Sequence, residues 1–178
     1  MKLTTQSMIR IAISTALIAV GAQLKIPSPL SGYFTLQLPM VIITSIILGK
    51  RDGFLAVGTY LLGGLLGIPW FAAGGGIGYV LKPTFGFLLS FLSVSLCSAY
   101  GSKDNKTIPS LVFATIGTLS VWVIGMLYYT GINIMYLGKT GSYIAALVSI
   151  LSLDLVLDLA LTYFSVVTGL RVKKHLGA

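Results

Sequence analysis

Two carboxylates sit one helical turn apart in the most apolar part of the chain. Asp154 and Asp158 lie among Leu151, Leu153, Leu155, Val156, Leu157 and Leu159. Residues four apart share a helix face, so both acids point one way. An acid at the centre of a membrane helix costs about 3 kcal/mol on insertion scales and normally faces the interior. Three chemistries suit the pair. Carboxylates accept from N–H groups, so they can anchor a ligand. They can hydrogen-bond Ser, Thr or Tyr inside a bundle. They can also serve as the acid and base of an intramembrane enzyme.

A second set of residues lies between 64 and 87. Pro69 and Pro83 bracket it and favour breaks in helix. Trp70, Phe71 and Tyr79 supply flat apolar faces, and Lys82 carries the only charge. Gly74, Gly75 and Gly76 bare the backbone for close approach. Irregular backbone cannot face lipid, which leaves its N–H and C=O groups unsatisfied. The stretch reads as the lip of a small-molecule site or as a tight re-entrant connection without a ligand. Other chemistries lack their residues. His175, the single histidine, lies in the tail, and there is no HExxH or Cys–His pair. Gly74-x-Gly76-x-Gly78 follows no strand, and no GxxxxGK[ST] loop is present, so ATP hydrolysis is not expected of this chain.

The elements that must position these groups follow from composition. Only 9% of the 178 residues are charged, 56% are hydrophobic and mean hydropathy is +0.96, whereas a soluble domain carries about 25% charged residues. The expected fold is an all-α integral membrane protein, one membrane domain over residues 1–178. Six apolar runs, at 8–24, 38–48, 54–66, 84–99, 108–128 and 142–170, predict six transmembrane helices. The first also resembles a secretory signal, but five runs follow and it reads as an uncleaved span. Residues 25–33, with Pro27, Pro29 and Gly32, read as a loop, and 33–37 as dipping into the membrane. Residues 130–141, with Asn133 and Lys139, read as a second loop, and 171–175 as a closing tail. Gln37 needs a partner beside its apolar run; a helix-to-helix hydrogen bond is favoured over a ligand contact. Ala12 and Ala16 share a face of the first span and let another helix approach, within this bundle or from a partner.

Charge sets the orientation. With the N-terminus inside, Lys2, Arg10, Lys50, Arg51, Lys103, Lys106, Arg171, Lys173 and Lys174 fall on the inner side. Lys25, Lys82 and Lys139 fall outside. The positive-inside rule therefore predicts both termini cytoplasmic. The net charge of +8 is a topology signal, not a nucleic-acid surface. Cys97 is alone, so no intrachain disulfide is possible.

Several pieces in order resemble a known family. They are Phe34-Thr35-Leu36-Gln37, Ile47 through Gly53, Gly63 through Phe71, the glycine triplet, and Pro83 through Phe87. The series is similar to BioY, the biotin-binding S component of energy-coupling-factor (ECF) transporters. The resemblance implies a multi-pass protein of the cell membrane that captures biotin from outside. It implies as partners a transmembrane coupling subunit and two cytoplasmic ATPase subunits, with no cofactor, no metal and no catalysis. Ala12 and Ala16 match the family's small-residue pattern for meeting the coupling subunit. Trp70, Phe71 and Tyr79 would pack the bicyclic ring and its tail, and Gly75 and Gly76 would let the loop close. Asp154 or Asp158 would accept from the ureido N–H groups. One departure stands out: a Lys expected three positions after the last-helix Asp is replaced by Leu157, or by Leu161 in the alternative alignment. Lys82 is expected to supply that missing charge. Riboflavin or thiamine in place of biotin, an intramembrane enzyme, and a structural subunit without a ligand are the competing expectations.

Overall fold

The computed structural model describes residues 3–28, 32–136, 138 and 143–176, and for 27, 28, 32, 33 and 143–153 it describes the backbone alone. Lys2, Lys139 and the 29–31 part of the expected loop lie outside the described residues. The chain is mostly helical: α1 (Thr5–Gln23), α2 (Gln37–Leu65), α3 (Phe85–Gly101), α4 (Thr107–Met135) and α5 (Tyr143–Leu176). Of these, Thr5–Gln23, Thr107–Met135 and the Asp154–Leu176 part of α5 are long and apolar enough to cross a bilayer, and Phe85–Gly101 is a shorter apolar helix.

Helix α1 begins where the Thr4 hydroxyl accepts from the Ser7 N–H at 3.2 Å, a side-chain N-cap. Its inward face carries Ile11, Thr15, Ile18 and Ala22, and its outer face exposes Ile9, Ile13, Leu17 and Val20. An apolar outer face suits lipid, not water. The helix ends at the Leu36 N–H, which donates to the Gly21 carbonyl at 3.1 Å and to the Leu24 carbonyl at 3.3 Å. Those bonds satisfy carbonyls that a helix end leaves open.

The expected loop after α1 is instead a two-stranded antiparallel ribbon, β1 (Lys25–Ser28) with β2 (Gly32–Thr35), pairing Lys25 with Thr35 and Ile26 with Phe34. Pro27 does not exclude it, because each strand of a two-stranded ribbon has an unpaired edge where a missing N–H costs nothing.

Helix α2 is broken at Gly49, whose φ of 78° and ψ of −177° are non-helical and favour a residue without Cβ. The chain doubles back there. The Gln37 amide donates to the Tyr60 hydroxyl, although 23 residues of straight helix span about 34 Å. Gly53 packs directly on the Ser45 backbone. The apolar runs at 38–48 and 54–66 are thus two antiparallel arms, with Lys50, Arg51 and Asp52 just past the turn. Gln37 makes the expected bond between helical arms, to Tyr60, and accepts from the Thr35 hydroxyl at 3.0 Å, but it also lines the cavity described below.

Two expected boundaries move. Residues Thr130–Met135, expected as loop, continue α4, and the expected tail from Arg171 to Leu176 continues α5. Both extensions keep backbone groups internally paired, which apolar surroundings demand. Helix α3 packs against α4 and α2, and α5 closes on α2 and α4. The core runs through Ile42, Ile46, Val57, Tyr60, Val94, Ala114 and Val166.

Candidate functional site

The residues between α2 and α3 fold tightly on themselves. Phe71 and Gly74 exchange backbone hydrogen bonds of 3.0 and 3.1 Å. Gly74 and Gly76 have φ of 107° and 101°, which disfavours any side chain there. Gly76 donates to the Gly64 carbonyl at 2.7 Å. A Cβ on Gly75 would strike the Ile68 and Gly64 carbonyls. The bare backbone therefore meets the end of α2. A 3₁₀ turn, Ile77–Leu81, then leads to α3.

This lip overhangs a cavity of about 340 Å³, within the usual range for small-molecule sites. Its mouth is formed by Phe34 and Thr35 of the ribbon and Ala72, Ala73, Tyr79 and Thr84 of the lip. Its walls are Leu88 and Phe91 from α3 and Val121 and Trp122 from α4. Asp154 and Asp158 reach it from α5. Asp154 is buried at 9% exposure. The buried Trp122 indole N–H makes no full hydrogen bond among the described residues, but it faces the Asp158 carboxyl. A ligand acceptor at this point would complete the donor's hydrogen bonding. Acceptors on one wall, a donor beside them and apolar surfaces elsewhere suit a compact ligand that carries N–H and C=O groups.

Of the residues singled out for ligand contact, the structure brings Tyr79, Asp154 and Asp158 together on the cavity. The other five stand outside its lining. Phe71 is buried at 1% exposure, its ring lying on Gly64 and edge-on to Tyr60 and Tyr79 at 5.4 and 4.7 Å. Trp70 lies on Gly63 and stacks parallel to Tyr60 at 6.5 Å. Gly75 and Gly76 pack on α2 as described. Lys82 donates to the Ala73 carbonyl at 3.0 Å, with its ammonium 4.5 Å from the Tyr79 ring centre. Burial pushes the Tyr79 phenol above its usual pKa, opposed by hydrogen bonds to the Ala73 backbone and the Thr84 side chain.

Ala12 and Ala16 are exposed on α1 and line an outer groove with Thr15, Thr59, Pro69 and Trp70. Trp122, Phe91 and Leu88 were not anticipated as site residues. Their only mark in the sequence is position on an apolar helix, which core residues share. Phe34 and Thr35 belong to a motif noted above, with no role read from it.

Comparison with known proteins agrees with this architecture. The BioY family model matches residues 1–178. A probable biotin transporter BioY of Lysinibacillus sphaericus is 39% identical over 135 residues, covering 74% of this chain and 68% of that protein. Biotin transporter BioY2 of Lactococcus lactis subsp. cremoris is 38% identical over 125 residues, 68% of each chain. A probable BioY of Pyrococcus horikoshii is 35% identical over 130 residues, 69% of this chain and 75% of that one. The crystal structure at 2.1 Å of the S-component for biotin from an ECF-type ABC transporter superposes with a TM-score of 0.78 over 97% of this chain and 95% of that one, at 21% identity. With the whole length matched, and three relatives each above a third identical, the chain belongs to the BioY family.

Proposed function

We propose that this protein is the substrate-capture subunit of an ECF-type transporter and binds biotin from the extracellular side. It acts as a transport subunit, not an enzyme. The observation that carries this reading is the cavity itself: two carboxylates beside a buried indole N–H, walled by apolar side chains, in a chain whose relatives are named biotin transporters. Biotin has ureido N–H groups for Asp154 and Asp158, a ureido carbonyl for Trp122, and an apolar bicyclic body for Leu88 and Phe91. Its carboxylate would lie toward the mouth, where Lys82 can exchange the Ala73 carbonyl for it. Trp70, Phe71, Gly75 and Gly76 would hold the lip in shape.

In this reading the two arms of α2 count separately, so one membrane domain of six spans crosses the cell membrane with both termini cytoplasmic. The ends of the bundle support that orientation. Lys25 and Lys82 donate to Ala72 and Ala73 at the cavity mouth. At the other end Lys50 lies over the Tyr100 ring, Ser7 donates to Asp52, and Lys173 donates to the Ser102 carbonyl. Ala12 and Ala16 would meet the transmembrane coupling subunit, and two cytoplasmic ATPase subunits would supply the energy.

Calorimetry on the detergent-solubilised protein with biotin, desthiobiotin, riboflavin and thiamine tests the ligand. Saturable binding of biotin and desthiobiotin alone is expected; heat only with riboflavin or thiamine would reassign the site. In the same titration Lys82→Ala should weaken biotin binding, and unchanged affinity would remove Lys82 from the site.

A further inference from the structure

At the end of the bundle opposite the mouth lies a second groove, between the turn after α3 and the last turns of α5. Val167, Leu170, Arg171 and Lys174 line it from α5, and Asn105 and Thr107 from the other side. The four α5 residues are spaced three, one and three apart, so they share one helix face. Val167 and Leu170 are half-buried, and Arg171 and Lys174 follow within the next turn, both exposed. The groove is therefore apolar toward the bundle's middle and cationic at its end.

Neither the Arg171 guanidinium nor the Lys174 ammonium has a hydrogen bond or an ion pair with a described residue. The neighbouring Lys173 is already engaged with the Ser102 carbonyl at 2.9 Å, which ties α5 to the turn and fixes the groove's width. Asp104 in that turn does not line the groove. Helix α4 starts here with no side-chain cap at Lys106, so its first N–H groups add a positive end.

We infer that this groove seats an anionic phospholipid, its phosphate between Arg171, Lys174 and the start of α4 and its acyl chain along Val167 and Leu170. A free phosphate ion would use only the cationic half. A phospholipid uses both, and basic pockets between helices on the cytoplasmic side suit such headgroups. The inference depends on the proposed orientation only for the leaflet it names.

Native mass spectrometry of the full chain in micelles containing equal phosphatidylglycerol and phosphatidylcholine tests it. The protein should retain phosphatidylglycerol preferentially. Arg171→Gln with Lys174→Gln should lower that preference about thirtyfold. Arg10→Gln with Lys50→Gln, which removes the same charge elsewhere at that end of the bundle, should leave most of it. Leu170→Asn, which keeps both cations, should also weaken retention. Equal loss in the two double variants, or no loss with Leu170→Asn, would overturn the assignment. So would displacement of the lipid by millimolar inorganic phosphate, which would mark a plain anion site. Helicity by circular dichroism confirms that each variant is folded. Because the readout uses no biotin, a chain that binds no biotin yet keeps the lipid preference sinks the capture reading and leaves this one standing.

Discussion

Trp122 carries the clearest local signal in the cavity. Its buried indole N–H makes no full hydrogen bond among the described residues and lies beside the Asp158 carboxyl, so folding leaves it only partly satisfied. A ligand carbonyl completes it. Trp122→Phe keeps the ring surface and removes the donor, so biotin affinity should fall by about fivefold to tenfold, measured by equilibrium titration. An unchanged affinity would place the ureido carbonyl elsewhere. Sequence alone does not single this residue out: Trp122 sits in an apolar run like any core aromatic. Asp154 and Asp158 were legible because charge is expensive in such a run, and expense marks position. Trp70 and Phe71 are harder to read, for the opposite reason. Flat rings beside bare glycine suggest a ligand platform, yet both rings lie on Gly63 and Gly64 at the end of α2. Spacing along the chain cannot say which partner a ring meets across space.

At the scale of elements, the lip is fastened to α1 and the ribbon. The Gln23 amide lies 3.2, 3.3 and 3.4 Å from the carbonyls of Pro69, Trp70 and Phe71. Lys25 donates to the Ala72 carbonyl at 2.9 Å. Ala72 lines the cavity, so these bonds set the position of its roof. Gln23→Ala with Lys25→Ala removes them without touching the cavity wall. Ligand dissociation should quicken several-fold, as expected when about 1 kcal/mol of hydrogen bonding is lost, while helicity stays the same. Stopped-flow displacement reads this, and an unchanged off-rate would mean the roof holds itself. None of these contacts is visible in the sequence, since they join residues 46 to 48 positions apart. The helices were visible, because apolar length and charged punctuation are local properties. The ribbon was not: its prolines read as loop, and only pairing between 25–28 and 32–35 makes them strands.

For the whole molecule, polarity along the bundle axis is the organising fact. Lys25 and Lys82 gather at the cavity mouth, while Lys50, Arg171, Lys173 and Lys174 gather at the far end. In a Cys97→Ser background, Lys82→Cys should react with an impermeant maleimide in intact cells, and Lys174→Cys only after the cells are permeabilised. The reverse pattern would invert the protein and put the cavity on the wrong side for uptake. The claim beneath all of this is that costly acids persist in an oily helix because they hold a polar guest. Calorimetric titration of biotin into Asp154→Asn and Asp158→Asn tests it most directly. At least one variant should lose about tenfold to a hundredfold in affinity, the worth of a hydrogen bond to a charged group, while its helicity matches the parent. Parental affinity in both variants would contradict the account.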